Sequence, residues 1–125
     1  MIKFKSLNQN RQFLKIFKKK RLNTKYFTIY FDKNSNYTKE NINKYLNISF
    51  VMKKNIGNAV KRNKIKRKLK AAVQKIIKNK QHIDLNYTYV IFGRNNVYKD
   101  KFKLILGEVS KTFKKINQMD SQTWK

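Results

Sequence analysis

Ile65, Leu69, Ala72 and Ile76 follow one another at spacings of four, three and four residues, with Val73 alongside. That period predicts an amphipathic helix running to about Lys78, with one apolar stripe that must be covered by another element. Gly57 interrupts whatever precedes it. Asn58 is a residue type that caps a helix N-terminus by accepting a bond from a free backbone N–H. At about 100° per residue, Asn63, Arg67, Lys70 and Gln74 line the face opposite the stripe. Lys61, Lys64, Lys68 and Lys75 form one flank, and Arg62 and Lys66 sit at the other border, on the seam with the covering element. A helix exposed almost entirely through basic side chains has a polyanion as its partner. The whole chain agrees, with a formal charge of +26 on 125 residues and six acids. Such a chain repels itself and pairs with nucleic acid or with an acidic membrane surface.

The rest of the chain supplies the cover. Between residues 7 and 20, Leu7, Phe13, Leu14, Ile16 and Phe17 lie among polar and basic residues, and Phe13 and Phe17 share one face of a short helix. Ser6 with Gln9 makes a capping box, with Asn8 and Asn10 as competing starts. Lys18 to Arg21 suits a helix C-terminus. Lys25 to Asp32 alternates as a strand, with Phe27, Ile29 and Phe31 directed inward and Tyr26, Thr28 and Tyr30 outward. The outward tyrosines suit either wet cross-strand packing or a platform on which bases stack. Asn34 to Asn43 is a turn region. A second strand runs from Tyr45 to about Lys54, with Leu46, Ile48, Phe50 and Met52 on one side. Asn79 to Asn86 is a polar connection holding the single histidine, His82, which reads as surface. Tyr87 to Phe92 is a third strand, ended by Gly93 and Arg94. A final helix spans about Lys99 to Ile116, with Asp100 at its positive end, and a frayed tail containing Trp124 follows from Asn117. Two strands flanking the basic helix make a βαβ unit with parallel strands. The expected class is α+β, one domain over 1–116 with a central mixed sheet and a tail over 117–125.

Asn58 to Arg67, Asn-Ala-Val-Lys-Arg-Asn-Lys-Ile-Lys-Arg, resembles the signature of the protein subunit of bacterial ribonuclease P. Lys64 stands where that family usually has a second Arg, which keeps the charge and loses the planar fork. Lys53-Lys54-Asn55-Ile56-Gly57 resembles the segment leading into the family's basic helix, with Lys54 matching a family lysine and Lys53 and Asn55 departing from it. Phe13 and Phe17 resemble the paired phenylalanines of its first helix, Tyr30 a tyrosine of its first strand, and Tyr89 to Arg94 its last strand and closing Arg. The resemblance implies an α-β-β-(β)-α-β-α sandwich of ribosomal-protein-S5-like architecture. It implies that Lys54, Asn58, Lys61, Arg62, Asn63, Lys64, Lys66, Arg67, Lys68 and Lys70 meet the catalytic RNA. It also implies that Phe13, Phe17, Tyr30 and Arg94 line a cleft for the single-stranded 5′ leader of precursor tRNA. For the Phe pair, a plain role as core anchors stands beside the cleft.

The residues argue against chemistry by the protein itself. Asp32, Glu40, Asp84, Asp100, Glu108 and Asp120 are scattered, with no pair at helix spacing. One His and no Cys leave no acid–base or nucleophile constellation, and three glycines make no phosphate loop. The resemblance places cleavage in the RNA subunit with magnesium ions and implies no cofactor in the protein. Sulfate or phosphate is expected to order the free protein, at the N–H groups of Asn58 to Lys61 and near Arg62 and Lys66. The absence of Cys suits a reducing cytoplasm. The N-terminus lacks a signal-peptide run, and no apolar segment approaches the ~20 residues of a membrane span. A structural RNA-binding protein of ribosomal type fits the charge and aromatics equally, and the interrupted Arg62-Asn63-Lys64 pattern argues against it. A membrane-surface or DNA-compacting protein would lack the aromatic cleft or the sheet-matched stripe.

Overall fold

The cover for the basic helix is a five-stranded mixed sheet. The computed structural model describes residues 3–6, 10–33, 45–79 and 83–123, without the side chains of residues 10–12 and 120–123. In chain order the elements are β1 (Lys3–Lys5), α1 (Asn10–Phe17), β2 (Lys20–Asn23), β3 (Phe27–Lys33) and β4 (Tyr45–Val51). A 3-10 turn (Lys54–Ile56) leads to α2 (Ala59–Lys78), β5 (Tyr87–Gly93), α3 (Asn96–Lys99) and α4 (Phe102–Thr123). The strands lie side by side as β1-β4-β5-β3-β2. β4 and β5 pair in parallel across α2, which is the expected βαβ unit, and β3 pairs antiparallel with β5.

Register assigns the faces. Phe27, Ile29 and Phe31 on β3 and Leu46 and Ile48 on β4 are buried with Tyr89 and Ile91 on β5. Against this face lie Ile65, Leu69, Ala72, Val73 and Ile76 of α2 and Ile105, Val109, Phe113 and Ile116 of α4. Each fully buried Leu, Ile or Phe contributes about 1.5–3 kcal/mol of transfer free energy. The Tyr89 and Phe113 rings meet edge to face at 5.0 Å and tie β5 to α4. Gly93 allows close packing, since a Cβ there would lie 2.7 Å from Met52, just after β4, and 2.9 Å from Ile65 of α2. Gly57 holds φ at 151°, which disfavours a side chain, and the turn it makes lets Asn58 open α2.

Several boundaries differ from the sequence reading. The basic cluster Lys18 to Arg21 does not finish a helix. α1 ends at Phe17, and Lys20 and Arg21 begin the edge strand β2, antiparallel to β3. β1, the other edge, pairs with β4 and sets Phe4 against Phe50 at 6.2 Å between centroids. Short edges carrying Lys and Arg resist pairing with other chains. The second strand stops at Val51 instead of near Lys54, and α4 continues through Thr123 instead of ending near Ile116. The turn region over 34–43 lies outside the described residues. So do His82, Trp124 and the capping choice between Ser6–Gln9 and the asparagines at Asn8 and Asn10, since residues 7–9 and the Asn10 side chain are not described.

Tyr26 also corrects the reading. Tyr26 is buried, not outward, because the bend at Lys25–Tyr26 precedes β3 and strand alternation starts only at Phe27. Its hydroxyl donates to Asp100 Oδ2 at 2.6 Å, and Lys25 Nζ lies 3.8 Å from the same oxygen. That hydrogen bond, with burial and the charges of Asp100 and Glu108, pushes the phenol up to about 12. The Asp100 carboxylate, two residues before α4 begins, therefore also ties the start of β3 to the α3–α4 junction.

Gly107 is exposed on α4, with no heavy atom within 4 Å of where a Cβ would stand. Gly107→Ala should raise stability by about 0.5–1 kcal/mol, mainly by restricting the unfolded chain. Urea unfolding with an unchanged slope and a higher midpoint is the expected result.

Candidate nucleic-acid interface

The two faces of the sheet carry two different surfaces. On the face opposite the core, α1 is anchored by Ile16, which is 4% exposed, while Phe13 is half-buried and Phe17 exposed. The Phe17 ring lies 6.2 Å from Phe13, 5.0 Å from Tyr30 and 5.6 Å from Phe92, and Tyr30 meets Phe92 edge-on at 5.7 Å. Phe13, Phe17 and Tyr30 are thus brought together, and Ile16 does the burying that a core-anchor role would ask of the Phe pair. Phe92 completes the cluster and is missing from the sequence reading. The signal was present in Tyr87–Gly93, where Thr88, Val90 and Phe92 alternate with the inward Tyr89 and Ile91.

Arg94 follows β5. Its backbone N–H donates to Tyr26 O at 2.9 Å, and its guanidinium Nη2 donates to Thr28 Oγ1 at 3.1 Å and to Asn23 Oδ1 at 3.5 Å. Thr28 stands opposite Phe92 in the register, so Arg94 lies at the end of the aromatic face. The side chain is exposed, which leaves its remaining donors open to solvent.

On the other side of the molecule, α2 presents its basic surface. Asn63, Lys64, Lys66, Arg67 and Lys70 are exposed, as is Lys54 in the turn before the helix. Lys70 Nζ sits 6.0 Å from the Phe4 ring. Arg62 lies at the seam as expected, and its Nε is buried without a hydrogen-bond partner. A buried donor without an acceptor is destabilising.

Four of the expected contacts have work inside the protein. Asn58 caps α2, its Oδ1 accepting from Lys61 N–H at 3.0 Å. The Lys61 N–H is therefore not among the free donors expected at this helix start. Lys68 Nζ donates to the carbonyls of Val97, Tyr98 and Asp100 at 3.0, 3.2 and 3.1 Å, so its three N–H groups fasten the end of α3 to α2. Lys61 and Lys64 turn toward Tyr98, with ammonium-to-centroid distances of 5.3 and 4.8 Å.

The acids with visible partners are structural. Asp84 accepts from Asn86 N–H at 2.8 Å through its carboxylate and from the Tyr89 hydroxyl at 3.0 Å through its carbonyl. Asp100 holds Tyr26. Among the described residues, no three His, Cys, Asp or Glu side chains come together as a metal site, and no helix is long and apolar enough to cross a membrane.

Comparison with known proteins accounts for nearly the whole chain. The sequence profile of the family described as Ribonuclease P matches residues 1–117. The ribonuclease P protein component of Mesomycoplasma hyopneumoniae (strain 7448) is 30% identical over 119 residues, covering 94% of this chain and 97% of that protein. That of Carboxydothermus hydrogenoformans is 30% identical over 110 residues, covering 87% and 88%. Among solved structures, the ribonuclease P protein of Thermotoga maritima superposes with a TM-score of 0.66 at 26% identity, over 89% of this chain and 96% of that one. The Staphylococcus aureus protein shares the fold at a TM-score of 0.67 and 23% identity, over 90% and 94%.

Proposed function

The chain belongs to the ribonuclease P protein family and is thus a protein component of a ribonuclease of tRNA processing, and from that premise we propose that it assists a catalytic RNA in removing the 5′ leader of precursor tRNA. The exposed α2 face of Asn63, Lys66, Arg67 and Lys70, with Lys54 and the Lys64 edge, neutralises phosphates of the RNA subunit. Asn58 and Lys68 keep that face in shape from within. Phe13, Phe17, Tyr30 and Phe92, with Arg94 at their end, hold unpaired leader nucleotides. Stacking accepts any base, which suits a subunit that meets many leaders. The cut itself belongs to the RNA and its magnesium ions, and the protein contributes binding, in the cytoplasm, with no catalytic residue and no cofactor of its own.

The observation that carries this reading is the separation of the two surfaces. The ring cluster opens on the sheet face opposite the one that α2 covers, so two RNAs can be held at once. A cleavage assay tests it. The cognate RNA subunit should cut precursor tRNA more efficiently, in kcat/KM, when the protein is added at low magnesium. Protein alone should leave precursor intact. Cutting by the protein alone, or no gain on its addition, would overturn the proposal.

Anions complete the picture. The charge of +26 opposes a small core, and the unpartnered Arg62 Nε supports an anion site near Arg62 and Lys66. A ligand that binds only the folded state stabilises it by about 2.7 kcal/mol at a hundredfold excess over Kd. Millimolar sulfate should therefore raise the helical circular dichroism of the free protein more than chloride at matched ionic strength. An equal response to the two salts would reduce the effect to screening.

A further inference from the structure

Tyr98 sits where neither of these surfaces needs an aromatic ring. It lies on α3, a single turn whose buried Val97 supplies the contact with the core. Tyr98 itself is 37% exposed. Its position is fixed from several sides. Tyr98 N–H donates to Asn95 O at 3.0 Å, Asn96 Nδ2 donates to Lys25 O at 3.1 Å, and Lys68 binds the carbonyls of Val97, Tyr98 and Asp100. Two ammonium groups, those of Lys61 and Lys64, stand 5.3 and 4.8 Å from the ring centroid. The acid of this segment, Asp100, has its carboxylate engaged with Tyr26 and Lys25, so it does not neutralise them.

We propose that Tyr98 is a stacking platform for one unpaired nucleotide of the RNA subunit, with Lys61 and Lys64 drawing the phosphates on either side of that nucleotide. The proposal rests on the basic-face reading of α2 and adds a contact of a different kind. A rigid ring loses little conformational freedom when a base stacks on it. Paired cations over the ring favour a polyanion over an apolar peptide, because a peptide would leave two charges partly desolvated and unpaired, whereas a stacking base moves them from the ring onto its own flanking phosphates. Continuity with α2 points to the RNA subunit and not to the leader, whose ring cluster lies on the opposite sheet face. Stacking does not depend on salt as phosphate contacts do, so the two contributions separate experimentally.

Tyr98→Leu keeps the apolar cover and removes the π face. Its affinity for the cognate RNA subunit, transcribed in vitro, should fall about tenfold with the salt slope unchanged, and Tyr98→Trp should restore it. In a Trp124→Phe background, Tyr98→Trp also provides a single-tryptophan reporter. Its emission should be quenched by the RNA subunit and not by precursor tRNA alone. Wild-type affinity in a folded Tyr98→Leu variant, unquenched emission at saturating RNA subunit, or quenching by precursor alone would each overturn the proposal. Arg67→Ala/Lys70→Ala is the companion measurement. If its slope flattens while Tyr98→Leu is silent, the platform alone is wrong. If its slope is unchanged while the reporter is quenched, the platform stands and the basic-face reading falls.

Discussion

Replacing Arg67 and Lys70 together by Ala should weaken binding to the cognate RNA subunit by roughly 10- to 100-fold at 0.1 M salt. Both side chains are exposed on α2, three residues apart, on the face opposite the buried stripe. Neutralising about six to eight phosphates gives a slope of log K against log salt of roughly −5 to −7. Each phosphate contact removed takes about 0.9 from that slope, which at 0.1 M salt is roughly eightfold in affinity. The double variant should therefore show a slope flatter by about 2. Its fold should be unchanged, because neither residue is buried. A wild-type slope would move the RNA face elsewhere on the molecule.

The second large effect concerns the aromatic face. Tyr30→Ala and Phe17→Ala should each weaken precursor binding by about 5- to 150-fold, the equivalent of about 1–3 kcal/mol of stacking per base. Mature tRNA, which has no leader, should bind nearly as before. Melting temperatures separate this from a structural effect. Phe17 is 37% exposed, and its truncation should cost far less than the about 3–5 kcal/mol of a buried Phe→Ala. If Phe13→Ala or Phe17→Ala lowers the melting temperature sharply and harms both ligands alike, the pair are core anchors.

What could be read from the residues alone follows from physical length scales. α2, β3 and β4 announce themselves because several consecutive periods of apolar residues fall on one face. β1 and β2 carry a single apolar residue each, Phe4 and Leu22, so no period exists to detect. Tyr26 escapes the alternation because a bend precedes β3, and the tie from Asp100 to Tyr26 spans 74 residues of sequence, beyond any local pattern. The same limit hid the duty of Lys68. Its acceptors belong to α3, a single turn too short to show periodicity, so the residue read only as one more basic side chain on a flank. Asn58 is the opposite case, since its cap is local and the bond to Lys61 N–H is where the sequence puts it. Of the ring cluster, Phe13, Phe17 and Tyr30 were found through resemblance, whereas Phe92 needed only the alternation of its own strand to be followed to the other face.

The central claim is that the protein gives the RNA enzyme a grip on the leader. The most direct measurement is a gel-shift comparison of precursor and mature tRNA, each titrated with the RNA subunit alone and with the assembled RNA–protein complex. The account predicts that adding the protein lowers the Kd for precursor by about tenfold or more, the order expected from stacking one or two bases, and barely changes that for mature tRNA. An equal gain for both ligands would contradict it, because the protein would then be supplying charge without reading the leader.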